Sequence, residues 1–274
     1  MRHILLGLLV LGLAACGRAG GSAETAEADT VNTASALSAP ERADSFSVLD
    51  GEEPVEVRLV EIEAVRGGAD GAAARARLEA LLAEAGPGLR LVSTGLERDR
   101  YGRRLAHGEF DRGEETVWLQ GVLVSEGHAM VASYADNHAR TEALLQLEAD
   151  ARANNRGGWA SGALTVRGPD PNPLAQHLDS RQIVEGRVVD VSPEIRGRIY
   201  LNFGLDWRTD FTVAIEADAL DAFTAAGKAP DGLEGAIVRV RGWLSEENGP
   251  MIRIDHQAAL EIVSAPEPAA LPGR

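Results

Sequence analysis

The sequence has one cysteine, Cys16, among its 274 residues. Without a second cysteine the chain cannot form an internal disulfide, and it offers no thiolate metal site. The one thiol stands directly after an apolar segment near the start of the chain. Cysteine chemistry is therefore expected at this single position and not in the folded parts of the protein.

An excess of positive charge is also lacking. Lys and Arg number 27 against 42 Asp and Glu, so the formal net charge is -15 at pH 7. A surface of this sign keeps the protein soluble and repels polyanions. The overall charge therefore does not indicate nucleic-acid binding, and any phosphate site has to be local.

Long apolar runs are absent as well. The one apolar stretch, residues 4–15, follows the charged start Arg2-His3 and is too short to span a bilayer as a mature helix. It ends in Leu13-Ala14-Ala15-Cys16, a pattern typical of a bacterial lipoprotein signal. We expect a signal peptide over 1–15, cleavage before Cys16 and lipid on its thiol. The alternative is an ordinary secretory signal in which Cys16 has no role.

Lipid on Cys16 would tether the protein to a membrane without a spanning segment. Gly17 follows where an aspartate would favour retention in the inner membrane. The sequence therefore predicts an envelope protein on the outer membrane, facing the periplasm.

Changes in composition divide the remainder of the chain. Small and polar residues dominate after Cys16, and repeated prolines occur at Gly168-Pro169-Asp170-Pro171-Asn172-Pro173, where they favour an extended path. The predicted segments are a disordered tether over 16–43, a first domain over 44–163, a Pro-rich linker over 164–180, a second domain over 181–264, and a disordered tail over 265–274.

The first domain alternates strand and helix patterns around Asp99-Arg100-Tyr101-Gly102-Arg103. This charged turn joins two predicted strands, 89–94 and 104–110, and its glycine supplies the freedom of a tight turn. Upstream, a hairpin is predicted over 44–51 and 55–63 with an Asp-Gly turn, followed by a helix over 70–85. Downstream, helices over 119–126 and 138–154 flank a strand over 129–132, and Trp159 is expected to close the hydrophobic base.

These motifs, in this order, resemble the staphylococcal nuclease (thermonuclease) family. Arg58-Leu59 followed by Ile62-Glu63, then Asp99 to Arg103, then Leu123-Val124, and a last helix closing at Gly158-Trp159 match its pattern over about 44–159. The resemblance implies an OB-like five-stranded barrel with packed helices, of mainly β, α+β class. It also implies calcium-dependent hydrolysis of phosphodiesters in nucleic acid.

The resemblance assigns roles to individual residues. Arg58 and Arg103 would be the catalytic cations that neutralise a phosphate, because a guanidinium forks onto phosphate oxygens. Asp44 and Glu63 would hold calcium, although both also fit solvated strand ends. Tyr134 and Tyr101 would contact the substrate, Tyr134 by stacking on a base of single-stranded nucleic acid.

One departure from the family pattern concerns the general base. The family places a glutamate shortly after the second metal-binding carboxylate, whereas this chain has Arg66 there. Loss of a general base lowers the rate roughly 10² to 10⁴-fold. The alternative to a nuclease is therefore a lipoprotein that binds nucleic acid or another phosphate ligand, or that serves in assembly, without catalysis.

The remaining candidates favour packing over chemistry. His107 and His128 lack neighbours at metal-ligand spacing and are expected at the surface or in packing. The second domain has five strand-like runs with a helix over 217–226, which favours a small OB-like barrel. Its aromatics Tyr200, Trp207 and Trp243 are expected in the core more often than on a stacking surface.

Overall fold

The computed structural model describes residues 29–30, 38–50 and 52–266 and has mixed helix and strand content, so the predicted α+β class is confirmed. The predicted signal peptide, Cys16, Gly51 and the tail from residue 267 lie outside the described residues. The strands are β1 (Asp29–Thr30), β2 (Ser38–Arg42), β3 (Ser45–Asp50), β4 (Glu53–Leu59), β5 (Ile62–Ala64), β6 (Arg90–Val92), β7 (Arg104–Arg112), β8 (Glu115–Trp118), β9 (Ala129–Val131), β10 (Val166–Arg167), β11 (Ser180–Arg187), β12 (Asp190–Val191), β13 (Arg198–Asn202), β14 (Thr212–Glu216), β15 (Ile237–Glu246), β16 (Pro250–Ile254) and β17 (Leu260–Ser264). The helices are α1 (Gly68–Ala85), α2 (Leu119–Ser125), α3 (Thr141–Ala153), α4 (Gly158–Ser161), α5 (Pro171–Leu174) and α6 (Leu220–Ala225).

The first sheet follows the order β1-β6-β7-β4-β3-β2, and β8 also pairs with β7. Alternate apolar side chains of β3 and β4 are buried, namely Phe46, Val48, Val57 and Leu59, which gives the sheet one apolar face. Leucines of α1 at helical spacing fill the same core. We call the part of the chain up to Leu164 the first unit.

The long strand predicted over 55–63 is wrong at its end. The chain turns at Val60 and Glu61, where Glu61 has a left-handed φ of 64°, and Glu63 lies in the short β5, which pairs with β9. A left-handed φ is unfavourable for a residue with a side chain. It is tolerated here because the buried Glu61 carboxylate is bonded by His107 and by Thr141.

The disordered tether predicted over 16–43 is also wrong where the structure describes it. Asp29–Thr30 pairs with β6, and Ser38–Arg42 pairs with β3. Composition alone missed these strands because the backbone of a polar segment can bond to an open sheet edge without burying large apolar side chains.

Other boundaries differ by a few residues. The strand predicted over 89–94 shortens to β6, and the helix predicted to begin at His138 begins at Thr141. Trp159 packs with Val65, Ala151, Leu164 and Ile183. Trp159 therefore lies between the first unit and β11, the strand that contains Ile183. It does not close the base of a single barrel, as we predicted.

The second sheet is built from the C-terminal part of the chain, which we call the second unit (residues 166–264). Its order is β10-β11-β15-β16-β14-β13-β12, and β17 also pairs with β15. The amides of Val188 and Val189, between β11 and β12, donate to the carbonyl oxygens of Ala236 and Asn202. One segment thus contacts the residue before β15 and the last residue of β13. A separate hydrophobic core lies within this unit.

The proline-rich segment is not the extended path that we predicted. Asp170 caps the short helix α5 by accepting a hydrogen bond from the Asn172 amide, and Pro171 stands at the first helical position, where a missing N–H is harmless. Leu174 is fully buried in the second core. Trp207 and Trp243, which we predicted in the core, are each about half exposed, at 51% and 52%.

Helices of membrane-spanning length and hydropathy are not found among the residues that the structure describes.

Candidate phosphate-binding cleft

A cleft of about 460 Å³ opens on the first unit where β4, the 96–105 loop and the segment after β9 meet. Arg58 and Arg103 both line it, together with Tyr101 and Tyr134. We predicted six residues for catalysis, substrate contact or metal binding, and the structure brings four of them together in this cleft. Asp44 and Glu63 do not line the cleft.

Arg58 lines the cleft and is held by the backbone. Its guanidinium donates to the carbonyl oxygens of Asp44, Leu59 and Ile62 at 2.8 to 3.0 Å, and Nη1 lies 3.2 Å from the Asp44 carboxylate. Burial lowers the pKa of Arg58 from its ordinary value, and the Asp44 charge opposes that shift. An arginine remains charged under these conditions. Arg58 is thus a fixed cation rather than a mobile one.

Arg103 also lines the cleft, at the point where the predicted turn leads into β7. Asp99 accepts hydrogen bonds from the Arg103 side chain at 2.7 Å and from its amide at 3.0 Å, and the Gly102 amide donates to the Asp99 carbonyl. Gly102 has a φ of 79°, as a tight turn requires. Burial alone would raise the pKa of Asp99, but the bonds from Arg103 outweigh it and the pKa is lowered. The carboxylate therefore stays charged and orients Arg103.

Two tyrosines border the cleft with much of their rings accessible. Tyr101 is 69% exposed, and the guanidinium groups of Arg100 and Arg103 lie 4.8 and 5.6 Å from its ring centroid. Tyr134 is 50% exposed, and Arg181 of the second unit lies 4.8 Å from its ring centroid. A nucleotide base can reach only the part of Tyr134 that Arg181 leaves uncovered.

The predicted calcium ligands are held by guanidinium groups. Asp44 is fully buried and paired with Arg42 at 3.0 Å and with Arg58, and its Oδ2 also accepts from the Ala64 amide. Its other oxygen, Oδ1, is buried without a hydrogen-bond partner.

Glu63 is paired on both sides. Its Oε1 lies 2.8 Å from Arg66 and its Oε2 lies 3.3 Å from Arg181. Arg66, which we predicted at the general-base position, therefore pairs with the carboxylate that we predicted to bind metal.

These residues do not fit a calcium ion. Calcium takes six to eight oxygen ligands with net negative charge, whereas two carboxylates here face four guanidinium groups. Of the carboxylate oxygens of Asp44 and Glu63, only Oδ1 of Asp44 is without a hydrogen bond or ion pair and would favour a bound cation. Among the described residues, no group of three or more His, Cys, Asp or Glu side chains could hold a metal ion.

Sequence reasoning missed the buried network beside the cleft. The Glu61 carboxylate is bonded by His107 Nε2 at 3.2 Å, by Thr141 Oγ1 at 2.6 Å and by the Arg140 amide. Trp118 donates its indole N–H to His107 Nδ1 at 3.1 Å, so Nε2 carries the proton that Glu61 accepts. His107 is thus a packing residue, and Glu61 fixes the turn that places Arg58.

Comparison with known proteins finds a similarity that covers this cleft. The sequence model described as Staphylococcal nuclease homologue matches residues 56–161. That range includes Arg58, Glu63, Tyr101, Arg103 and Tyr134. A search of curated proteins found no match.

Residues 56–161 therefore resemble the staphylococcal nuclease family, which suggests a nuclease-type function at the level of that family. The resemblance predicted over about 44–159 is confirmed over 56–159, whereas residues 44–55, including Asp44, lie outside the match. The second unit lies outside the matched residues.

Proposed function

We propose that the cleft of the first unit binds a phosphodiester of single-stranded nucleic acid, or another phosphate ligand, and that it does so without calcium and with little or no hydrolysis. The observation that carries this is that Arg58 and Arg103 both line one cleft. Two fixed guanidinium groups can neutralise one phosphate and hold it in a single orientation.

The aromatic side chains fit a nucleotide ligand. Tyr101 and Tyr134 border the same cleft with accessible rings. Stacking of a base on an aromatic side chain contributes about 1 to 3 kcal/mol and tolerates any base. This favours binding of an unpaired strand over recognition of one sequence.

Calcium-dependent hydrolysis is the second candidate, and the family match favours it because the family is generally calcium-dependent. Two observations oppose it in this chain. The candidate carboxylates, Asp44 and Glu63, are each paired with two guanidinium groups, and Arg66 stands where the family has its general base. We therefore propose that turnover is weak or lost, with a loss of roughly 10² to 10⁴-fold from the missing base alone.

The proposed location is the cell envelope. The segment Leu13-Ala14-Ala15-Cys16 supports a lipid on Cys16, and Gly17 supports the outer membrane. Labelled fatty acid should be incorporated into the wild-type protein in bacteria and not into the Cys16→Ser variant. Equal incorporation into both proteins would contradict the lipid anchor.

The function is tested with the chain from residue 17 onward, which keeps every residue that the structure describes. Fluorescence anisotropy with a labelled single-stranded oligonucleotide is measured in calcium and in chelator, and the strand is then analysed on a gel. We expect equal binding in both conditions and an intact strand. Cleavage that requires calcium would replace this proposal with the hydrolytic one, and absence of binding would contradict both.

A further inference from the structure

The second unit contributes side chains to the surroundings of the cleft. A cavity of about 230 Å³ lies between the two units, and Tyr134 lines both this cavity and the cleft. We call it the junction cavity. The side chains from the second unit that matter here are Arg181, Trp243, Arg253 and His256.

Most charges around the junction cavity are already paired. Arg241 binds Glu148 at 3.0 Å and Glu261 at 2.5 Å, and Arg253 is paired with Glu247. His256 bonds to Asp255 and to Ser133. The carboxylate of Glu216 is paired with Arg198. These groups hold the cavity together and offer little charge to a ligand.

Arg181 has the longest ion pair of the three arginines that line this cavity. Its side chain is only 8% exposed, and its Nε lies 3.3 Å from Glu63 Oε2 without forming a hydrogen bond. Glu63 is shared with Arg66, so two guanidinium groups face one carboxylate. A buried donor without a hydrogen bond is unfavourable and is rare in folded proteins. An anion in the cavity would supply a further acceptor and balance the second guanidinium charge.

An aromatic side chain accompanies this cation. Arg181 on β11 pairs directly with Trp243 on β15, so both side chains stand on the same face of the sheet. Trp243 is half exposed at 52% and lines the same cavity. A guanidinium beside an accessible indole is the combination that binds a phosphate and its neighbouring base.

We propose that the junction cavity is a second phosphate subsite, in which Arg181 binds another phosphate of the strand that occupies the cleft. The bound strand then runs from Arg58 and Arg103, past Tyr134, onto the second unit. This inference rests on the proposed function, because it extends the same ligand beyond the first unit. It gives the second unit a role in binding that the family match does not cover.

The proposal is tested by strand length in the chain from residue 17 onward, in chelator. Anisotropy is measured with a labelled dinucleotide, which has one phosphate between its nucleosides, and with a single strand of about twelve nucleotides, of which only the longer can place separate phosphates at both subsites. Arg181→Ala should weaken binding of the longer strand about tenfold and leave the shorter strand within about twofold of wild type. Arg187→Ala is the matched control, since it removes an exposed arginine from the same strand, β11.

Two further variants separate ligand contact from a structural effect. Glu63→Gln should strengthen binding of the longer strand, because it releases Arg181 from its ion pair. Arg181→Lys keeps the charge and should retain part of the affinity, and near-ultraviolet circular dichroism checks that each variant is folded.

The outcomes are distinguishable. If Arg181→Ala and Arg187→Ala bind the longer strand with equal affinity, the proposal of a second subsite is wrong. The proposed binding in the cleft is not affected by that result. The same conclusion follows if Glu63→Gln has no effect, or if inorganic phosphate displaces both strands equally in wild type and in Arg181→Ala. If neither strand binds to the wild-type protein, the proposed function itself is wrong.

Discussion

At the scale of single residues, the cleft depends on carboxylates that fix cations. Asp99 orients Arg103, and the carbonyl oxygens around the Glu61 turn hold Arg58. Glu61 in turn depends on His107, which is fully buried. The sequence offered a motif for the arginines but none for this supporting network, because its members are far apart in the chain.

The Glu61 and His107 pair predicts how stability depends on pH. Burial lowers the pKa of His107 below its ordinary 6.5, although the bond to Glu61 opposes the shift. The unfolded chain therefore gains a proton at a higher pH than the folded chain does, so stability falls as pH decreases from 6.5 toward the folded pKa. The pKa of Glu61 is also lowered, because bonds from His107 and Thr141 outweigh burial, and its contribution is lost as pH falls through its folded value.

We expect His107→Gln, which cannot titrate but can still donate to Glu61, to flatten the pH dependence below 6.5. The change in the free energy of unfolding should be on the order of 1 kcal/mol. Urea unfolding at several pH values measures it. An unchanged slope in the variant would show that other groups control acid stability.

At the scale of elements, the packing of helices and turns determines where the segments that line the cleft lie. The turn between α2 and β9 packs against the connection between α3 and α4, and the Gly158 amide donates to the Gly127 carbonyl. Gly127 has a φ of 74°, and a Cβ there would lie 2.1 Å from the Arg156 carbonyl oxygen. This close approach fixes the turn that leads into β9, and Tyr134 follows β9 in the chain.

Gly127→Ala is therefore expected to destabilise the protein by about 3 kcal/mol or more, since the Cβ meets backbone that cannot move away. Gly162→Ala is the control, because its φ is 83° but nothing lies within 4 Å of its Cβ. That variant should lose about 1 to 2 kcal/mol from backbone strain alone. Thermal unfolding compares them, and equal losses would mean that backbone strain rather than packing decides the effect.

Patterns local in sequence predicted most elements, and contacts distant in sequence account for what was missed. Helix α1 followed from its leucine spacing, and β3 with β4 followed from alternation. The turn at Glu61 could not be predicted, because a left-handed residue is stabilised there by His107 and Thr141. The position of Arg181 at Glu63 requires knowledge of how the two sheets pack, which no local pattern contains.

At the scale of the whole molecule, the two units are joined through charged as well as apolar contacts. Arg241 of the second unit and Glu148 of the first are each 1% exposed and bond at 3.0 and 3.2 Å. Glu148 also accepts from the Val131 amide, and Glu261 completes the pairing of Arg241. Burial disfavours the charge on Arg241, yet the two carboxylates raise its pKa above the ordinary value.

Arg241→Met is expected to destabilise the contact between the units by about 3 to 5 kcal/mol, because it leaves the buried Glu148 carboxylate without its closest cation. Denaturant unfolding should then separate into two transitions, whereas wild type should unfold in one. The exposed Arg253→Met serves as the control and should change the free energy of unfolding by less than about 1 kcal/mol. A single, unshifted transition in Arg241→Met would show that apolar packing alone joins the units.

The most direct test of the account is a double-mutant cycle on affinity for a short single-stranded oligonucleotide in chelator, with Arg58→Lys, Arg103→Lys and the double variant. If both guanidinium groups bind one phosphate, each single change should weaken binding about tenfold, and the double variant should lose less than the product of the two. Strictly multiplicative losses, or wild-type affinity in either single variant, would contradict a shared phosphate in the cleft.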